Sequence, residues 1–298
     1  MCIRDRYYPV LQQSFKSEDN FNIILLGASV LEDVRGNIRQ KLYDNLKDKL
    51  PKEDIEIINF SQPGQNSKDS ANKLKVYSQL HKADLVIFYH AINESKANAC
   101  PDSIFNVDYN HYARVQKTNT IIKHWEANFT VIPLYLELLT QRINPPMSLE
   151  KYYSTKGLGD KWLAYGNNIK TATSFEKNLT AIYQECQKNQ VALLNPEYAY
   201  HLPKNYHKKH RYEYYTKTKY GMAAVEVWGI PRNVKKGIDT HNAVNEKVAK
   251  KYGFPFIKTN DRLPKIKENF NDICHLTDKG ALTFVEIIAP EIIALKQN

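Results

Sequence analysis

The stretch "NIILLGASVLED", residues 22–33, runs from four branched apolar residues, Ile23 to Leu26, into Gly27-Ala28-Ser29 and then into acidic residues. An apolar run without alternation reads as a strand covered on both faces, the pattern of a parallel sheet between helical layers. Its abrupt end delivers a small hydroxyl residue, Ser29, to the carboxyl edge of that strand. Ser29 could there cap a helix, line a phosphate loop or act as a nucleophile, and the rest of the chain has to decide.

The same texture recurs along the sequence. Short apolar runs at 55–60, 84–89, 191–194 and 254–257 read as further strands, and amphipathic segments at 34–49, 67–81, 171–189, 240–252 and 278–296 read as helices. Within 171–189, Phe175, Leu179, Ile182 and Cys186 recur at helical spacing and mark a core-facing stripe. Strand alternating with helix predicts a doubly wound α/β domain around a five-stranded parallel sheet. One such domain, 21–298, is expected behind an N-terminal segment, 1–20. Two stretches break the rhythm, 95–170 and 196–238, both far longer than the usual αβ connection of about 2–6 residues. The first contains "NFTVIPLYLELL" (128–139) and is expected to add helices. The second carries seven tyrosines within 198–220 among Lys, Arg and His, and suits a lid or substrate wall above the sheet.

Composition narrows the classes. Hydrophobic residues at 42% and charged residues at 25% are ordinary for a globular protein. No run of about 18 apolar residues is present to span a membrane. Lys+Arg 42 against Asp+Glu 32 gives a net charge of +10, which favours anionic partners but reads most simply as a solvated basic surface. The opening Met1-Cys2-Ile3-Arg4-Asp5-Arg6 resembles a leader left by translated sequencing-adapter DNA. On that reading the native N-terminus is missing, which leaves room for a lost signal or anchor, and an extracytoplasmic location, periplasmic or membrane-anchored, is the expectation. If the N-terminus is complete, the expectation becomes cytoplasmic.

Chemistry in a parallel sheet gathers where strands end. Four polar groups fall at such places in order: Ser29 after the first strand, Gly64 in "NFSQPGQNS" after the second, Asn93 in "HAINES" after the third, and Asp272 with His275 in "NDICHLTDKG" near the C-terminus. Singly, each has a bland explanation as a cap, a turn, loop chemistry or a structural histidine. Together they supply acyl transfer. Ser29 is the nucleophile, placed near the expected start of the 34–49 helix, where the helix dipole favours negative charge. His275 is the general base, and Asp272 fixes its tautomer. The Ser29 and Gly64 main-chain N–H groups and the Asn93 amide are the candidate oxyanion donors.

These residues resemble the SGNH hydrolases, or GDSL-type esterases. Gly27-Ala28-Ser29 stands where that family often has Gly-Asp-Ser, and Ala91-Ile92-Asn93-Glu94 where Gly-x-Asn-Asp is usual. The long insertions look like those of a bacterial branch. The resemblance implies a flavodoxin-like three-layer α/β/α fold and hydrolysis of esters, often acetyl esters on glycans or lipids. An O-acyltransferase on the same residues, or a non-catalytic carbohydrate-binding protein on the same scaffold, is the alternative.

Other sites fare less well. "GASVLEDVRG" lacks a G-x-G-x-x-G or Lys-bearing phosphate loop, and Glu32-Asp33 would repel phosphate. His201, His207, His210 and Glu213 sit among lysines at a spacing unlike a zinc site, so no metal or cofactor is expected. The Tyr/Lys-rich 198–220 stretch could stack bases, but sugar stacking or plain packing accounts for it equally, and no nucleic acid partner is expected. Finally, convergence of Asn93 and His275 on one acyl carbon would bring Cys100 and Cys274 near bridging range, about 4.4–6.8 Å between Cα atoms. The bridge, which would indicate an oxidising compartment, stands against two small buried thiols.

Overall fold

The computed structural model describes residues 9–102, 105–107, 165–203 and 228–297. Strands β1 (Phe21–Gly27), β2 (Ile55–Asn59), β3 (Leu85–Tyr89), β4 (Ala192–Pro196) and β5 (Phe256–Ile257) pair throughout in parallel, in the order β2-β1-β3-β4-β5. That is the flavodoxin-like order, with the chain reversing direction across the sheet between β1 and β3.

Every residue of β1 is buried, as its unbroken apolar run requires. Alternate side chains enter different cores. Ile23 and Leu25 pack with α1 (Ile38–Lys49) through Leu42 and Leu46, and with α7 (Asp278–Gln297) through Phe284, Ile288 and Ile292. Ile24 and Leu26 face α2 (Ser67–Val76) through Leu74, and α4 (Ala172–Lys188) through Phe175, Leu179, Ile182 and Cys186. The helical stripe read at 171–189 is therefore core. Full burial of one such aliphatic side chain contributes roughly 1.5–3 kcal/mol, so the two faces of β1 fix its register.

Helix α1 starts at Ile38 rather than at 34, and two further helix boundaries differ from expectation. The helix expected at 240–252 is α5, Pro231–Tyr252, so the second insertion ends at Pro231 rather than at 238. Proline at the first helical position favours initiation there, and Gly253 ends the helix in a left-handed conformation at φ 76°. The helical period blurs in its first turns because their buried face is partly polar, including Asn233 and His241, and a short helix, α6 (Thr259–Arg262), follows β5. The helix expected at 67–81 stops at Val76, and a short 3-10 turn, Leu80–Lys82, follows. Of the insertions, 108–164 and 204–227 lie outside the described residues, and with them "NFTVIPLYLELL" and most of the tyrosine-rich stretch. Among the described residues no helix is long and apolar enough to cross a membrane.

Candidate active site

The carboxyl edge of the sheet releases three chains side by side. β1 lies between β2 and β3, so Ser29 is flanked by the loop after β2 and the loop after β3. Residues 28–31 form a turn in which the Leu31 N–H donates to the Ala28 carbonyl at 3.1 Å. Ala28, Val30 and Leu31 are buried and anchor the turn. Asn59, at the end of β2, braces it: its Nδ2 donates to the Leu31 carbonyl at 2.7 Å and to Asp33 Oδ1 at 2.8 Å.

The helix N-terminus expected behind Ser29 is not there. Helix α1 begins only at Ile38, because Gly36 (φ 74°) and Asn37 (φ 47°) are both left-handed and a right-handed helix cannot run through them. Charge developing at Ser29 therefore has to be met by discrete donors rather than by the dipole of α1.

Asp272 and His275 sit on a short loop closed by the Asn271 N–H donating to the His275 carbonyl at 2.7 Å and by an antiparallel bridge between Phe270 and Leu276. Phe270, Ile273, Cys274 and Leu276 root it in the core. Behind it, Thr277 Oγ1 accepts from the Gly280 N–H at 3.0 Å and caps α7, as the order Thr277-Asp278 suggested.

The loop brings three side chains into line. His275 Nε2 lies 2.8 Å from Ser29 Oγ, and His275 Nδ1 lies 2.6 Å from Asp272 Oδ2. The other carboxylate oxygen, Oδ1, accepts from the His275 and Cys274 main-chain N–H groups at 2.8 and 2.9 Å. Burial alone would raise the Asp272 pKa, but the adjacent imidazole and these hydrogen bonds outweigh it and hold the group below its ordinary value. An ionised Asp272 only accepts, so His275 Nδ1 carries the ring proton and Nε2 is left to accept from the Ser29 hydroxyl. Ser29 and His275 each retain 7% exposure, enough for an incoming atom to reach them.

Gly64 is exposed and left-handed, with φ 75°. Asn93 opens the short helix α3 (Ile92–Ala97), and its Nδ2 donates to the Gln65 carbonyl at 2.5 Å. The loops after β2 and β3 thus join next to Gly64. Of the two N–H bonds on the Asn93 amide, one serves this junction and the other remains for an oxyanion.

The Cys100–Cys274 bridge is not formed. Both thiols are free and buried, as is that of Cys186. Helix α3 intervenes between Asn93 and Cys100: at 1.5 Å per residue the four steps from Asn93 to Ala97 carry the chain about 6 Å along its axis, and Cys100 lies three residues further on. Cys100 Sγ there donates to the Ala97 carbonyl, while Cys274 Sγ lies 3.7 Å from His275 Nδ1. The inference of an oxidising compartment drawn from the bridge goes with it.

Asp272, Cys274 and His275 also bring their ligand atoms within 4.8 Å of one another. Both His275 nitrogens are already engaged, by Asp272 and Ser29, so the set fits a proton relay better than a metal. His201 packs its ring on Phe270 instead, and His207, His210 and Glu213 lie outside the described residues.

Sequence reading missed Asn59, Gln65, Lys73 and Glu94, which build the walls of the site. The signal for Lys73 was present: it falls on the stripe Ser70, Lys73, Leu74 and Tyr77, the buried side of its segment.

A parallel β2-β1-β3-β4-β5 sheet between two helical layers is the flavodoxin-like three-layer α/β/α fold that the resemblance to SGNH hydrolases implies, and solved esterases and GDSL-like lipases share it. Among solved structures, the chain is similar to the acetylxylan esterase Axe2 of Geobacillus stearothermophilus, at 11% identity and a TM-score of 0.51 over 93% of this chain and 96% of that one. It is also similar to a GDSL-like lipase of Bacteroides thetaiotaomicron, at 10% identity and 0.51 over 99% and 96%. A third, the acetyl xylan esterase AlAXEase, gives 14% identity and 0.50 over 91% and 99%. At these identities the likeness is one of fold. No family model matches the chain, and no curated protein matches it.

Proposed function

We propose that this protein is a serine esterase that removes an O-acetyl or other short acyl group from a glycan or lipid. One observation carries the reading: the unbroken hydrogen-bonded line from Ser29 Oγ through His275 to Asp272, at 2.8 and 2.6 Å. The acetyl xylan esterases that share the fold support the choice of acyl group.

In this mechanism Ser29 Oγ attacks the ester carbon as its proton passes to His275 Nε2. Asp272 stays ionised and stabilises the imidazolium. The carbonyl oxygen, now negative, lies among the Ser29 and Gly64 N–H groups and the free N–H of Asn93. Collapse expels the alcohol, which takes the proton from His275. Water then repeats the sequence on the acyl-enzyme and releases the acid. The test is turnover of a chromogenic acetate ester and of acetylated xylan by the intact protein beside Ser29→Ala. Serine-dependent release of acetate is expected. Equal turnover by Ser29→Ala, or none by either protein, would overturn the reading.

A further inference from the structure

Lys73 on α2 is fully buried, 0% exposed, behind the site. Its ammonium donates to the Phe60 carbonyl and to Gln65 Oε1. Those acceptors stand at the two ends of the loop that contains Gly64. The loop is closed further by Gln65 Nε2, which donates to Gln62 Oε1 at 2.6 Å. The Gln65 main-chain carbonyl is the acceptor for Asn93, and just beyond it the Ser67 N–H donates to Glu94 Oε1 at 2.5 Å. The main chain around Gly64 is therefore gripped from inside by Lys73 and from the β3 side by the first turn of α3.

A buried ammonium is an expensive clamp. Removing such a charge from water costs several kcal/mol even after relaxation, whereas methionine would fill the same space without that cost. Asp69 is the nearby opposite charge, and His90, held to about 3 by burial and by Lys73 itself, stays neutral. Burial lowers the Lys73 pKa to about 7 against the pull of Asp69. A neutral amine keeps two N–H donors, so both loop contacts outlast the proton. What the lysine achieves, and an apolar residue would not, is a fixed distance between the two ends of the Gly64 loop.

We propose that Lys73 is the positioning residue of the oxyanion hole: it sets the Gly64 amide through Phe60 and Gln65 at the two ends of its loop, and the Asn93 amide through Gln65, without touching substrate. This rests on the esterase reading above. A donor displaced by about 1 Å can cost about 10²-fold in rate, and the loss should fall on the transition state rather than on substrate binding.

The experiment is a cycle of ester kinetics on the full chain, with active sites counted by titration: wild type, Lys73→Met, Asn93→Ala and the double variant. Lys73→Met should lower kcat per active site by about 10- to 100-fold with KM within about twofold. In the Asn93→Ala background the same change should cost clearly less than in wild type, because one of the two donors that Lys73 positions is already gone and only the Gly64 share remains. An equal loss in both backgrounds, or a kcat per site that does not fall, overturns the proposal. If Lys73→Met does not fold, Gln65→Leu, which keeps the lysine and removes its loop partner, takes its place under the same criteria. An inactive wild type overturns the esterase reading and this proposal together. An active wild type with an additive cycle overturns this proposal alone.

Discussion

Ser29, His275 and Asp272 are joined by hydrogen bonds of 2.8 and 2.6 Å, so changing each should fail in its own way. Asp272→Asn puts an N–H against Nδ1, selects the tautomer with its proton on Nε2, and should lower kcat by about 10⁴ without unfolding the chain; steady-state kinetics beside a thermal melt would show it. Asn93→Ala should lower kcat by roughly 10²–10³ with a smaller change in KM, the mark of a transition-state donor. A raised KM with kcat intact would instead make Asn93 a ground-state contact. Glu94 offers a different handle. Burial raises its pKa from 4.5 to about 7, against the Ser67 hydrogen bonds, and its Oε2 has no partner among the described residues. A raised folded pKa means stability that is full below about 4.5 and lost as pH rises through about 7. Glu94→Gln should flatten the stability–pH curve in that window, where wild type falls by at most roughly 3 kcal/mol; denaturant melts across pH 4 to 8 would measure the difference. The candidate site groups were legible because each stands at a strand end or in the last loop. Asn59 and Gln65 were not, because they act by side-chain bonds to groups on loops whose closeness only the folded sheet creates, whereas the burial of Lys73 could be read from the helical stripe on which it lies.

At the scale of elements, α7 holds the 269–277 loop by close contact rather than by a bond alone. A Cβ on Gly280 would stand 2.0 Å from the Asn269 carbonyl oxygen. Gly280→Ala should therefore push the 269–277 loop outward, weakening the His275–Ser29 contact and lowering both kcat and the melting temperature. An alanine variant with wild-type kcat would show that the loop has slack. The strands were readable from apolar runs alone, since β1, β2 and β3 need two covered faces. The start of α5 was not, since Asn233, His241 and Asn245 lie on its buried side and blur the period. Nor was the turn after Ser29, where two consecutive left-handed residues, Gly36 and Asn37, delay α1. The cysteine pairing failed at this same scale. Helix α3 separates Cys100 from Asn93, and both thiols stay free. Peptide mapping after alkylation in denaturant without reductant should find Cys100, Cys186 and Cys274 all modified; a Cys100–Cys274 cross-linked peptide would reverse that conclusion.

Across the whole molecule, the sheet order places the first three strand ends side by side, and long-range bonds join Ser29 to the 272–275 loop and Asn93 to the loop that contains Gly64, although the chain separates them widely. Topology, more than any single motif, makes the constellation chemical. The central claim is that this meeting activates Ser29, and covalent trapping tests it most directly. Incubation with an alkyl fluorophosphonate, followed by intact-mass and peptide analysis, should show one phosphonyl group per chain, on Ser29, formed far more slowly in His275→Ala and absent in Ser29→Ala. Labelling at another residue, or labelling of Ser29 at an undiminished rate in His275→Ala, would contradict it.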